Sequence, residues 1–76
     1  MNKFIILNMP EPKNKIAVPI QDIERIESYG YTYVNEYGVA ETIEAALVFM
    51  KSGGFHYSRD YFTETIKELN ANKEVL

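Results

Sequence analysis

Tyr31-Thr32-Tyr33-Val34, followed by Asn35-Glu36-Tyr37-Gly38, is the stretch that leaves the chain the fewest choices. Four β-branched or aromatic residues in a row favour a pleated, half-buried strand. The next four end in a glycine that can adopt a positive φ, which suits a tight hairpin turn. The expectation is a β-hairpin that returns through a short strand over Val39 to Glu41. A hairpin alone is marginal in water, so the rest of the chain must supply more strands or a covering helix.

Phe4-Ile5-Ile6-Leu7 is a continuous apolar run rich in β-formers and places a strand over Lys3 to Asn8. Met9 to Asn14 reads as a loop, because Pro10 and Pro12 cannot donate to a ladder and Pro12 pushes Glu11 away from helical angles. Lys15 to Val18 reads as a second strand, paired with the first across that loop. Ile20, Ile23 and Ile26 recur at intervals of three. That spacing fits a short helix starting at Pro19 and ending near Gly30. It also admits a tight turn over Pro19 to Asp22 followed by a strand over Ile23 to Ser28, and the strand is expected.

Beyond the hairpin, Thr42 has the chemistry of an N-cap and Glu44 would sit in the first turn of a helix. Ile43, Ala46, Leu47 and Met50 share one helical face, Lys51 falls in the last turn, and Gly53-Gly54 supplies a stop. Phe55-His56-Tyr57 is then a short link and Ser58 the N-cap of a second helix. Its apolar stripe would be Tyr61, Phe62, Thr65, Ile66 and Leu69, and residues 70–76 are expected to fray. The sum is one domain over residues 1–76 of the α+β class: a small antiparallel sheet of four to five short strands packed under one or two C-terminal helices.

A chain of 76 residues buries a thin core, so dimerisation stays open as a source of stability. It contains no cysteine, which excludes disulfides, thiolate metal sites and a cysteine nucleophile. The N-terminal apolar run is too short for a signal sequence or a membrane span, which points to the cytoplasm. Eight basic and 11 acidic residues give a net charge of −3, which disfavours nucleic acid as a partner because phosphate neutralisation calls for a basic stripe. No nucleophile–base pair, metal-ligand spacing or cofactor loop stands out, so the expectation is a protein that is not an enzyme and needs no cofactor. Gly53-Gly54 is not a phosphate-binding loop, since no Lys-Ser/Thr follows it.

Val18-Pro19-Ile20-Gln21-Asp22-Ile23-Glu24-Arg25-Ile26-Glu27-Ser28, with Gly30-Tyr31-Thr32-Tyr33-Val34 after it, resembles the first half of LytTR-type DNA-binding domains. Phe55 and Arg59-Asp60-Tyr61 look like that family's phenylalanine and Arg-Ser-Tyr segment. The departures are a one-residue difference in spacing before Arg59, a basic pair reduced to Arg59, Glu64 where the family has asparagine, and no final hairpin. Over Lys3 to Lys51 the chain is about equally similar to short FlbD-type flagellar proteins, whose acidic-started helix would correspond to Glu41-Thr42-Ile43-Glu44. The first resemblance implies a DNA-binding transcription regulator.

Tyr29, Tyr31 and Tyr33 fall on one face of an extended strand. Either they pack the core beneath the helices, or they form an exposed aromatic stripe, with Tyr37 at the turn. Tyrosine suits contact surfaces because it offers a large rigid area with a polar tip. His56 is the single histidine and has no partners at metal-ligand spacing. With Tyr57 and Arg59 it follows the Gly53-Gly54 pair and is a candidate contact loop. Tyr29, Tyr31, Tyr33, Tyr37, His56, Tyr57 and Arg59 are therefore the candidate partner-binding residues. They suggest a small regulatory binding module acting on another protein, such as an adaptor, inhibitor or accessory protein of the kind phages and mobile elements encode.

Overall fold

The computed structural model describes residues 3–10 and 13–73. Its centre is the expected hairpin, built much longer than the sequence suggested: β3 (Ile23–Val34) pairs antiparallel with β4 (Ala40–Met50). At the turn, Gly38 N donates to Asn35 O at 3.0 Å and Asn35 N donates to Val39 O at 2.9 Å. Gly38 has φ +78°, so the loop is a type I turn closed by a left-handed glycine, a common three-residue hairpin connection. Asn35 Oδ1 accepts from Tyr37 N at 2.9 Å and from Val39 N at 3.0 Å, which ties the turn to its own side chain.

The same turn is then used again. Gly53 N donates to Met50 O at 3.0 Å, Met50 N donates to Gly54 O at 2.8 Å, and Gly53 has φ +102°. Asn35-Glu36-Tyr37-Gly38-Val39 and Met50-Lys51-Ser52-Gly53-Gly54 are one device, with glycine at the third loop position. The second copy returns the chain as β5 (Phe55–Tyr61) and completes a sheet of order β3-β4-β5. β1 (Phe4–Asn8) and β2 (Lys15–Pro19) form a separate antiparallel pair, and α1 (Phe62–Lys73) follows β5 directly.

The α+β class is as expected, but the strands divide into two sheets and there is one helix among the described residues. The helix expected over Thr42 to Lys51 is strand β4, and Gly53-Gly54 turns a hairpin instead of ending a helix. The physical reason is pairing. The backbone groups of β3 need a partner strand, and β4 offers two usable faces: Ala46 and Val48 are buried on one, while Ile43, Leu47 and Phe49 line the other. The link Phe55-His56-Tyr57 is likewise strand, and Ser58 is buried within β5 rather than capping a helix. The C-terminal helix starts at Phe62, so Tyr61 leaves its stripe, while Thr65 and Leu69 are buried as the spacing predicts. Residues 70–73 are helical; the rest of the tail expected to fray lies outside the described residues.

Ile23 to Ser28 is strand, as expected, and the spacing of Ile20, Ile23 and Ile26 has a structural cause other than a long helix. Ile20–Asp22 is a single 3-10 turn. Ile23 then pairs with Met50 and Arg25 with Phe49, so Glu24 is an extra residue in β3. A one-residue bulge flips side-chain parity. It therefore sends Ile23 and Ile26 to the same face although they are three apart. Ile23 joins Ile5, Leu7, Val18, Val48 and Leu69 in the core, with Ile16, Ile20, Ile26 and Met50 packed around it.

That core lies between the β1–β2 pair, α1 and the lower part of the inner face of β3-β4-β5. The outer edge of β1 is tied down by carboxylates: Ile6 N donates to Glu68 Oε1 at 3.3 Å and Asn8 N to Asp60 Oδ2 at 2.9 Å. Among the described residues no layer lies on the upper β3–β4 hairpin, and the molecule measures 44 × 23 × 19 Å. Its accessible surface of 5319 Å² exceeds the roughly 4800 Å² usual for a monomer of 8.8 kDa. No helix among the described residues is long and apolar enough to cross a membrane.

A Cβ added at Gly38 or Gly53 would meet no atom within 4 Å, so a side chain there strains only the backbone. Gly38→Ala and Gly53→Ala are each expected to lower stability by about 1 kcal/mol. Urea unfolding with an unchanged m-value would register this as a shift in midpoint.

Candidate functional site

The register of the two hairpins decides which side chains stand together. Arg25, Glu27, Tyr29, Tyr31 and Tyr33 of β3 lie opposite Phe49, Leu47, Ala45, Ile43 and Glu41 of β4, and Phe55 and Tyr57 of β5 lie opposite Phe49 and Leu47. All point away from the core. No element among the described residues covers this face, and its rings pack on one another. Tyr29 and Tyr57 meet edge to face at 5.1 Å, Phe55 and Tyr57 at 5.3 Å, and Tyr31 stacks on Tyr33 at 5.8 Å. Phe55 and Tyr57, which are joined to Tyr29 and Phe49 in one ring cluster, are 51% and 46% exposed, and Tyr61 on the same face is 56% exposed.

β5 reaches this face through an irregularity centred on Ser58. Beyond the Leu47–Tyr57 pair, Ala45 lies opposite Tyr61, where unbroken register would place Arg59. A shift of two residues keeps the parity, so Tyr61 joins the aromatic face. The bulge leaves backbone groups to satisfy. Ser58 Oγ donates to Ala46 O at 3.0 Å and accepts from Asp60 N at 3.2 Å, and Tyr29 OH donates to Ser58 O at 2.5 Å. Partial burial, helped by the neighbouring phenols of Tyr31 and Tyr57, raises the Tyr29 pKa. Asp60 in turn accepts from Asn8 Nδ2 at 2.6 Å, which joins the network to β1.

The two ends of the face differ in charge. At one end, Arg25 lies 3.9 Å from the Phe49 ring centroid and pairs with Glu24 and, at 2.6 Å, with Glu27. Its charge is answered locally. At the other end, Tyr31, Tyr33, Ile43 and Tyr61 line a shallow cleft of about 320 Å³, together with Val34, Lys13 and Arg59. Neither Lys13 nor Arg59 forms an ion pair among the described residues. Glu41, opposite Tyr33 in the hairpin, accepts from Tyr33 OH and Asn35 Nδ2, both at 3.1 Å. The hydrogen bond to Glu41 is the main cause of a raised Tyr33 pKa.

Of the seven candidate residues, the structure gathers Tyr29, Tyr31, Tyr33, Tyr57 and Arg59 on or beside one surface. Tyr37 stands apart at the hairpin tip, 82% exposed. His56 points the other way: it pairs with the buried Val48, and the pleat places it on the inner face, away from Tyr57. The contact loop expected around His56 is thus a strand whose alternate residues face opposite sides. Sequence reading missed Ile43, Leu47, Phe49, Phe55 and Tyr61. Their signal was present as alternation over Ile43-Glu44-Ala45-Ala46-Leu47-Val48-Phe49, masked by a helical spacing that the same residues also satisfy.

A second concavity, between β1, β5 and α1, includes Asp60, Glu64 and Glu68, two of which hold the β1 edge. No group of three or more His, Asp or Glu among the described residues is arranged to hold a metal ion. Compared with models of known protein families, with curated proteins and with solved structures, the chain shows no match. The LytTR-type and FlbD-type resemblances accordingly rest on the residues that carry them.

Ser58→Ala strands Ala46 O and Asp60 N in a buried place and is expected to cost about 1–3 kcal/mol in chemical unfolding. The raised Tyr29 pKa also predicts a pH dependence. A phenol with a higher pKa folded than unfolded contributes stability that is complete below about pH 10 and is lost as pH rises through the folded value. Tyr29→Phe should flatten the alkaline fall of the unfolding midpoint, and an unchanged alkaline slope would contradict this role.

Proposed function

We propose that this chain is a non-enzymatic, cytoplasmic regulatory binding module that works through protein–protein contacts on its aromatic sheet face. The observation that carries the reading is the connected ring cluster of Tyr29, Phe49, Phe55 and Tyr57, with the exposed Tyr61 on the same face, on a strand framework held by two turns of the same spacing. Connected aromatic surface exposed to water is unfavourable for a monomer and is what buried interface centres are made of. Rings already packed on one another lose little freedom when a partner covers them, which lowers the cost of association. An adaptor, inhibitor or accessory protein of a phage or mobile element fits so small a scaffold, and self-association through the same face is one form the contact takes.

A second reading, a LytTR-like DNA-binding module, draws on the pairing of Lys13 and Arg59 beside Tyr31 and Tyr33. The net charge of −3 counts against it. The two separate on salt: several phosphate contacts would make affinity for duplex DNA fall steeply between 50 and 200 mM salt.

Affinity capture from the native host, repeated with the double variant Phe55→Ser/Tyr57→Ser, tests the first reading. Circular dichroism serves as the folding control and light scattering reports self-association. A specific protein retained by the wild type and lost at least about tenfold in the folded variant is the expected result. Equal retention by both would remove the aromatic face from the function.

A further inference from the structure

The aromatic face is not uniform, and its cleft narrows what the partner can be. At the Arg25 end the cation is neutralised by Glu24 and Glu27 and seated on Phe49. At the cleft end two cations from different parts of the chain converge: Lys13 from the β1–β2 loop and Arg59 from the β5 bulge. Both are exposed and neither is paired among the described residues, so in an acidic protein this is a local positive site. Between them and the hairpin lie the stacked rings of Tyr31 and Tyr33, the side chain of Ile43 and the exposed ring of Tyr61. At about 320 Å³ the space is at the small end for a ligand site. It suits one large side chain with a flanking charge.

We infer that this cleft is the anchor of the proposed interface, and that it takes a short acidic segment of the partner protein in which a carboxylate stands next to an aromatic or large apolar side chain. The inference rests on the protein-binding reading above and adds the chemistry of the partner. The apolar side chain packs against Tyr31, Tyr33, Ile43 and Tyr61. The neighbouring carboxylate accepts charge-assisted hydrogen bonds from Arg59 and Lys13. Glu41, opposite the cleft-lining Tyr33, is held by Tyr33 OH and Asn35, so it repels a second anion placed towards the hairpin tip. A polyanionic strand, which needs a continued basic track, is disfavoured there, whereas a single acidic cluster is accommodated.

The test is an amide-shift titration of the intact protein with blocked synthetic peptides. One carries phenylalanine flanked by aspartates, a second replaces the aspartates with asparagine, and a third replaces the phenylalanine with glycine. Oligothymidylate is the nucleic-acid arm. The acidic phenylalanine peptide should shift Tyr31, Tyr33, Ile43, Arg59 and Tyr61, and the two control peptides should bind at least about tenfold more weakly. The double variant Lys13→Glu/Arg59→Glu changes only exposed residues; it should lose the acidic peptide and gain a lysine-flanked phenylalanine peptide. Absence of shifts at the cleft, equal binding of the asparagine peptide, or oligothymidylate binding there more tightly than the acidic peptide would overturn the inference. Host-partner capture that survives the charge reversal but not Phe55→Ser/Tyr57→Ser would sink the cleft and leave the protein-binding reading standing. Loss of that reading itself would show as capture indifferent to both variants.

Discussion

The buried hydroxyl of Ser58 is the point on which the separate parts of this fold depend. It sits where β5 departs from regular pairing with β4, and it stands in for a missing backbone donor by bonding to Ala46 O. It also accepts from Asp60 N, while the carbonyl of the same residue accepts from Tyr29. Through Asp60 and Asn8 the network crosses to β1. One small polar residue thus joins β3, β4, β5 and the second sheet at a place where apolar packing alone would leave backbone groups unsatisfied. Buried polar networks are stabilising only when complete, and no buried side-chain polar atom among the described residues lacks a partner.

The same irregularity organises the surface. Because the register shift at the bulge is two residues, Tyr61 keeps the outward parity and extends the aromatic face. Because the shift at Glu24 is one residue, Ile23 changes parity and enters the core. Two bulges of different size therefore sort side chains between inside and outside. The outcome is a sheet with one face partly covered by β1, β2 and α1, and the other left as aromatic surface with cations converging at one end. The proposed function starts from that asymmetry, because an aromatic sheet face that no element among the described residues covers is the kind of surface a binding partner would bury.

Much of this could be read in the residues. The strand Tyr31 to Val34 and its turn, the strand pair across the proline loop, and the helical stripe Thr65, Ile66 and Leu69 all follow from local chemistry, and each is found. The helix expected over Thr42 to Lys51 was not found because residues 42–51 satisfy both periods. Ile43, Ala46, Leu47 and Met50 make a helical face, while Ile43, Ala45, Leu47 and Phe49 make a strand face. A neighbour decides between them, since β3 runs for 12 residues and requires a partner. The equivalence of Gly38 and Gly53 in two turns of the same spacing was the local cue to the second hairpin.

By itself, then, the sequence determined which segments could be strands, where glycine must turn the chain, and that the balance of charge is acidic, because these depend on residue type and short-range spacing. Only the tertiary structure decided that the tyrosines face outward, that His56 faces inward away from Tyr57, and that Lys13 and Arg59, 46 positions apart in sequence, line the same cleft. The reason is that facing is a property of register, and register was set by two bulges and by the Ser58 network. Those features arise from long-range pairing, and nothing in the residues nearby specifies them.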